Sequence, residues 1–272
     1  MTEKWMLLDQ SKLDPAVNMA VDEKLMDWHR AGLIPPVLRF YGWTPAGLSV
    51  GYFQRTEGKI DREAVASHGF RLVRRPTGGQ AVLHDDELTY SFVISEEHQG
   101  VPKTIKEAHK LISEALLLGL EKLDIDASFA MPDEKKQASG TAICFEEPSW
   151  YEITLNGRKV IGSAQARHDG ILLQHGSIPL HMNAVELFDL FVFENDRVKE
   201  RMLRAFGGKA AGIFDLIGRE IPIEEMKEAF QRGFAEVFEV SFETLTLTDA
   251  QWDEIHTLAE QKFRRESYLF SR

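Results

Sequence analysis

The chain has 272 residues, 43% apolar and 28% charged, with 32 Lys plus Arg against 43 Asp plus Glu for a net charge of −11. This is a globular composition, long enough to bury about 70–75% of its unfolded surface, and neither disordered nor fibrous. The acidic balance excludes nucleic acid as the main partner, because duplex binding needs a basic face to neutralise phosphates.

Met6-Leu7-Leu8 predicts a first short strand. Asp14 then caps a helix to Trp28, in which Val17, Ala20, Val21, Leu25 and Trp28 recur at three- and four-residue steps. Strands follow at 37–41 and 48–52 around the turn Thr44-Pro45-Ala46-Gly47, and the pair is expected to form a hairpin. A short helix at 61–68 leads to a strand at 70–74, the turn Pro76-Thr77-Gly78-Gly79, and strands at 80–83 and 88–95. Thr104 caps the most regular helix, with Ala108, Ile112, Leu116, Leu120 and Leu123 on one face. Residues 131–149 have no period. Strands at 151–155 and 158–166 flank Asn156-Gly157, the signature of a two-residue hairpin turn. A strand at 171–180 follows, and then helices at 185–193, 196–206, 213–217, 222–238 and 248–265. The fold class read from this order is α+β: a largely antiparallel or mixed β-sheet flanked by helices, with a helical C-terminal extension. Residues 1–220 are expected to form a catalytic domain, with 221–272 a helical extension packed on it.

A single cysteine, Cys144, excludes an internal disulfide and points to a reducing, cytoplasmic setting. The start, Met1-Thr2-Glu3-Lys4-Trp5, lacks the features of a secretory leader, and no apolar run approaches the roughly 20 residues that span a membrane. With no HExxH and no CxxC, no metal is expected.

Several places carry candidate chemistry. Arg74 and Arg75 end a strand ahead of Thr77-Gly78-Gly79. Backbone N–H groups of such a turn can form an anion nest, with arginine adding charge, although a plain β-turn with solvated arginines has the same sequence. A strand follows the turn, which excludes a dinucleotide-binding strand-to-helix motif. Cys144 lies between Gly140 and Pro148, close before the hairpin, as a nucleophile or as a small buried apolar side chain. Hairpin pairing sets Thr154 opposite Lys159 and Leu155 opposite Arg158. Ile153, Leu155 and Val160 then form the core face, with Glu152, Thr154, Lys159 and Ile161 on the other. Lys159 is either a solvated lysine or an ammonium beside the thiol that favours thiolate and moves protons. His84 and His175 are candidate bases or hydrogen-bonded edge residues. Gly162-Ser163-Ala164-Gln165 supplies small residues on a strand, which permit close approach of a chain or an acyl group.

The combination resembles a known superfamily. Arg74 to Gly79, His84 and Leu88-Thr89-Tyr90-Ser91 are similar to the signature of the biotin/lipoate protein ligases and lipoyl transferases. The run Gly157-Arg158-Lys159-Val160-Ile161-Gly162-Ser163-Ala164-Gln165 is similar to its lysine motif, and His175-Gly176-Ser177-Ile178 to a third block. The stretch Cys144 to Glu152, with Asn18-Met19-Ala20-Val21-Asp22 and Arg39-Phe40-Tyr41-Gly42-Trp43, resembles the Bacillus-type octanoyltransferase branch over nearly the whole chain.

The resemblance implies octanoyl transfer from acyl carrier protein to a lysine of a lipoyl-accepting protein, such as the glycine cleavage H protein, in lipoate biosynthesis. It implies Cys144 and Lys159 as catalytic residues. Arg74, Arg75, Thr77, Gly78, Gly79, His84, Gly162, Ser163, Ala164, His175 and Gly176 are the expected substrate-binding residues, and no cofactor is needed. An ATP-dependent lipoate ligase, an octanoyl amidotransferase and a non-catalytic binder of acylated carriers are the alternatives. Gln80 stands where the ligases commonly have a third glycine. An acidic carrier requires a local basic patch, for which Arg74, Arg75, Lys135, Lys136 and Arg167 are the candidates.

Overall fold

The computed structural model describes residues 2–130 and 151–271. β1 (Glu3–Leu13) runs straight into α1 (Pro15–Arg30). The Asp14 carboxylate accepts from Ala16 N at 3.0 Å, and Pro15 supplies a preset first helical turn. β2 (Val37–Trp43) and β3 (Gly47–Val50) precede α2 (Arg62–Ser67), β4 (Arg71–Arg74), β5 (Val82–His84), β6 (Glu87–Ser95) and α3 (Ile105–Glu121). The Thr104 hydroxyl caps α3 by accepting from Glu107 N. Then come β7 (Ser128–Phe129), β8 (Ile153–Leu155), β9 (Arg158–His168) and β10 (Ile171–Pro179). The chain ends with α4 (Ala184–Asp189), α5 (Asp196–Gly207), α6 (Ile213–Ile217), α7 (Ile223–Phe238), β11 (Val240–Thr244), α8 (Asp249–Leu258), a π-helical turn at Ala259–Phe263, and α9 (Glu266–Leu269).

Among the described residues the strands form two sheets. The larger has the order β11-β1-β2-β6-β10-β9-β8-β7 and the smaller β4-β3-β5. β1 pairs in parallel with β11 and β2, and every other pair in the large sheet is antiparallel, so the sheet is mixed. Both faces are covered. Alternation sends Leu38 and Phe40 of β2 into one core with α3 and α7, and Val37 and Tyr41 into another with α1 and α8. A third cluster lies around the small sheet, with Leu48, Val50, Phe188 and Phe206. No described helix is long and apolar enough to cross a membrane.

Several local expectations are corrected. The 37–41 and 48–52 strands do not form a hairpin. Both edges of β2 are taken by β1 and β6, and β3 lies between β4 and β5 in the other sheet. The first strand is eleven residues, because it pairs on both edges. β11 lies between the two last expected helices, where no strand is expected, and it completes the edge beside β1. The Asn156-Gly157 turn forms as expected, with φ of 51° and 74°, and Thr154 pairs with Lys159 and Leu155 with Arg158. Beyond that the register slips, so that Ile153 meets Ile161, and Val160 and Ile161 both join the core.

Candidate active site

The central strands build the floor. Tyr41, Thr89, Ser177 and Gly162 stand in one cross-strand row, and Arg39, Ser91, His175 and Ala164 in the next. Alternation puts both rows on the face that α1 covers. The first row shrinks from Tyr41 on β2 to Gly162 on β9, and a cavity of about 210 Å³ lies over this floor. It is lined by Met19, Tyr41 and Trp43 on one side, by Gly162, Ser163, Ala164 and Gly176 on the other, and by Arg75, Gly79, His84, His175 and Lys159. Gly176 is required by proximity: a Cβ there would stand 2.6 Å from Tyr90 Cε1 and 2.7 Å from Gly162 O.

The arginine–glycine turn is held from inside. Arg75 Nη2 donates to Gly78 O at 2.7 Å and Gln80 O at 2.8 Å, and Nη1 donates to Ser49 Oγ at 3.1 Å. Gly79, at φ 93°, occupies the left-handed region that favours glycine. Arg74 points elsewhere. It is fully buried, donating to Gly51 O at 2.7 Å, Gln54 O at 2.9 Å and Leu269 O at 2.7 Å, so it ties α9 to the loop after β3. The basic patch expected for carrier docking is therefore not formed by these side chains. Arg74 and Arg75 are buried on backbone carbonyls, and Arg167 donates to Pro102 O and Lys103 O and pairs with Glu96. Lys135, Lys136 and Cys144 lie outside the described residues.

His175 is fixed at both nitrogens. Its Nδ1 donates to Asp22 Oδ2 at 3.0 Å, and Nε2 accepts from the Thr77 hydroxyl at 2.6 Å. Thr77 thus stands behind the cavity wall rather than in it. Burial pulls the His175 pKa below its ordinary value, against the opposing pull of Asp22. Burial by itself would raise the Asp22 carboxyl; Arg39, His175 and Ser91 outweigh it and hold the pKa below the ordinary value. Arg39 Nη1 donates to Asp22 Oδ1 at 2.7 Å, both side chains being fully buried.

His84 belongs to a second network. Its ring stacks on Trp43 with centroids 4.1 Å apart and an interplanar angle of 11°. Nδ1 donates to Glu87 Oε1 at 2.7 Å, and Nε2 lies 2.8 Å from Ser49 Oγ. Glu87 also accepts from the Thr89 and Ser177 hydroxyls. The buried carboxylate is thereby satisfied by hydrogen bonds.

Lys159 is buried, with 4% exposure. Its Nζ donates to Glu152 Oε1 at 2.7 Å. Its backbone is clamped as well, N donating to Lys209 O at 2.8 Å and O accepting from Ala211 N at 3.1 Å. His109 of α3 lies close enough to feel both charges, and burial above all lowers its pKa.

The structure gathers nine expected residues around one cavity: Arg75, Gly79, His84, Lys159, Gly162, Ser163, Ala164, His175 and Gly176. Gly78 lies in the turn just outside it. The sequence reading assigned no role to Ser49, Glu87, Glu152 or His109. Glu152 alone carried a usable signal, because hairpin pairing already set it on the face of Lys159. Asp22 and Trp43 stood within the quoted resemblance motifs, but nothing in their local spacing set them beside His175 or His84.

Comparison with known proteins adds a family and close relatives. The chain is 46% identical to octanoyltransferase LipM of Bacillus subtilis strain 168, and 48% identical to octanoyltransferase LipM of Anoxybacillus flavithermus. Each match covers 99% of this chain and 99% of the relative. Its fold matches that of the archaeal bipartite lipoate protein ligase of Thermoplasma acidophilum, with a TM-score of 0.80 at 23% identity, over 99% of this chain and 97% of the other. The family model of the lipoyl protein ligase A/B catalytic domain matches residues 14–235, and the chain belongs to that family.

Proposed function

We propose that this member of the lipoyl ligase A/B family is an octanoyltransferase of lipoate biosynthesis, which moves octanoyl from acyl carrier protein to a lysine of a lipoyl-accepting protein. Its full-length identity to octanoyltransferases supports the activity. The observation that carries the chemistry is a buried lysine, Lys159, in the wall of a largely apolar cavity. Such a cavity receives an alkyl chain at about 0.8 kcal/mol per buried methylene.

Cys144 is the proposed nucleophile. Its sulfur, as thiolate, attacks the carrier thioester. The new carbon–sulfur bond forms as the carrier carbon–sulfur bond breaks, and the released carrier thiolate takes up a proton. The acceptor lysine amine then attacks the acyl-cysteine. A carbon–nitrogen bond forms, Cys144 leaves, and the amine proton passes to its sulfur. Lys159 donates to the developing oxyanion and relays these protons. Arg75 fixes the turn that brings Gly79 to the cavity, and Gly162, Ser163, Ala164 and Gly176 leave room for the chain. His84 and His175 shape the cavity from their networks. All these residues fall within 1–220, the proposed catalytic domain. The glycine cleavage H protein or another lipoyl domain is the proposed acceptor, and the cytoplasm the proposed site of action.

Intact-mass measurement after mixing with octanoyl acyl carrier protein, without ATP, tests this reading. One octanoyl group should appear on the enzyme and leave on addition of the acceptor domain. Cys144→Ser should abolish both. Full turnover by that variant, or an absolute need for ATP, overturns the mechanism.

A further inference from the structure

We propose that Glu152 is the positioning residue for Lys159, setting where its ammonium stands relative to the acyl carbonyl. This rests on the reading of Lys159 given above.

The geometry starts with the hairpin. Thr154 pairs with Lys159 across it, the register slips beyond that pair, and Glu152 stands immediately ahead of β8. The Glu152 and Lys159 side chains are long enough to bridge the separation this leaves. Here they meet, with Nζ 2.7 Å from Oε1 and side-chain exposures of 6% and 9%. A charge-assisted hydrogen bond this sheltered from solvent and salt holds its members in place.

The anchor is itself anchored. The Glu152 carbonyl accepts from Ala130 N at 2.8 Å, and so ties the approach to β8 onto the end of β7. On the other side, residues 209–211 clamp the Lys159 backbone. A lysine side chain has four rotatable bonds and three N–H donors, so a fixed backbone alone does not place its nitrogen. Glu152 takes one donor direction and thereby orients the others. The carboxylate also offsets the cost of burying an ammonium. Reactivity depends steeply on such placement, since an error of about 1 Å at a reacting group costs on the order of 100-fold.

Steady-state kinetics of Glu152→Gln, Glu152→Asp and Lys159→Met on the full-length enzyme test the proposal, with octanoyl acyl carrier protein as donor. Glu152→Gln should lower kcat roughly 10–100-fold, with KM for the carrier changed less than about threefold. Glu152→Asp should recover part of kcat, because it keeps the charge on a shorter arm. Glu152→Gln combined with Lys159→Met should be no slower than Lys159→Met alone, because the two act as one unit. Thermal melting confirms that each variant is folded; should Glu152→Gln fail to fold, Glu152→Asp and the double variant carry the test. Wild-type kcat in a folded Glu152→Gln enzyme, or additive losses in the double variant, overturn the proposal. Full activity in Lys159→Met instead overturns the role of Lys159, a result separable from failure of the positioning role alone.

Discussion

His175 Nδ1 and Asp22 Oδ2 stand 3.0 Å apart although 153 positions separate them in the chain. The contact joins α1 to the centre of the large sheet and orients the ring that lines the cavity. Asp22 also holds Arg39 and accepts from Ser91 and Tyr41. Removing its charge leaves a buried guanidinium uncompensated. Asp22→Asn should therefore lose about 3–5 kcal/mol of stability, read as a lower midpoint in urea unfolding. An unchanged midpoint would show that the pair does not hold the fold.

The same pair sets an acid limit. The folded-state pKa of His175 lies below its ordinary 6.5, so below pH 6.5 the unfolded chain binds the proton first. Stability is present above pH 6.5 and is lost as pH falls towards the folded-state pKa. Asp22, depressed below 3.8, adds a second loss further down. Melting temperatures across this range should fall with acid, and His175→Gln should flatten the limb just below 6.5. A variant with the wild-type acid profile would remove His175 as its source.

The alkaline limit has a different origin. Burial pushes the Tyr90 phenol up to about 12, against hydrogen bonds from Ser163 and Gln174, and Tyr41 is raised well above its ordinary value. Both raised values favour the folded state below pH 10, and that stability is lost as pH climbs through the folded-state values. Ultraviolet titration of phenolate absorbance should show these tyrosines ionising only as the protein unfolds. Their titration near pH 10 in the native protein would contradict their burial.

Gly176→Ala tests the cavity floor. The new methyl would meet Tyr90 Cε1 at 2.6 Å and Gly162 O at 2.7 Å, and the second contact is backbone. The strands must separate or Tyr90 must swing, at a cost of about 1–3 kcal/mol. The variant should melt lower and transfer octanoyl more slowly. Wild-type rates at wild-type stability would show that the floor yields freely.

Arg74→Gln separates structure from chemistry. Its guanidinium joins Gly51, Gln54 and Leu269 carbonyls and does not line the cavity. Losing it leaves buried carbonyls unpaired at about 1–3 kcal/mol. Hydrogen exchange should rise in residues 266–271 and 51–54 while acylation of Cys144 persists. Selective loss of acylation, with no change in exchange, would instead place Arg74 in substrate binding.

Most elements were legible because their causes are local. Asp14 and Thr104 cap the helices they were expected to cap, and Asn156-Gly157 makes its turn, since each satisfies backbone groups within a few residues. The region of the site was legible too, because Arg75, Lys159 and His175 stand in short motifs. Long-range pairing was not. A strand's apolar alternation does not name its partner, so β3 was joined to β2 when it belongs between β4 and β5, and β11 went unread although it flanks β1.

The sequence by itself determined the α+β class, the helix and hairpin signals and the motifs of the site, all consequences of near-neighbour hydrogen bonding and hydrophobic period. Only the tertiary structure decided that Arg74 turns inward to α9 while Arg75 supports the cavity, that Asp22 meets His175, and that Glu152 reaches Lys159. Arg74 ends β4 and Arg75 begins the turn, so the two side chains diverge, and a buried charge takes whichever partner the sheet order brings near.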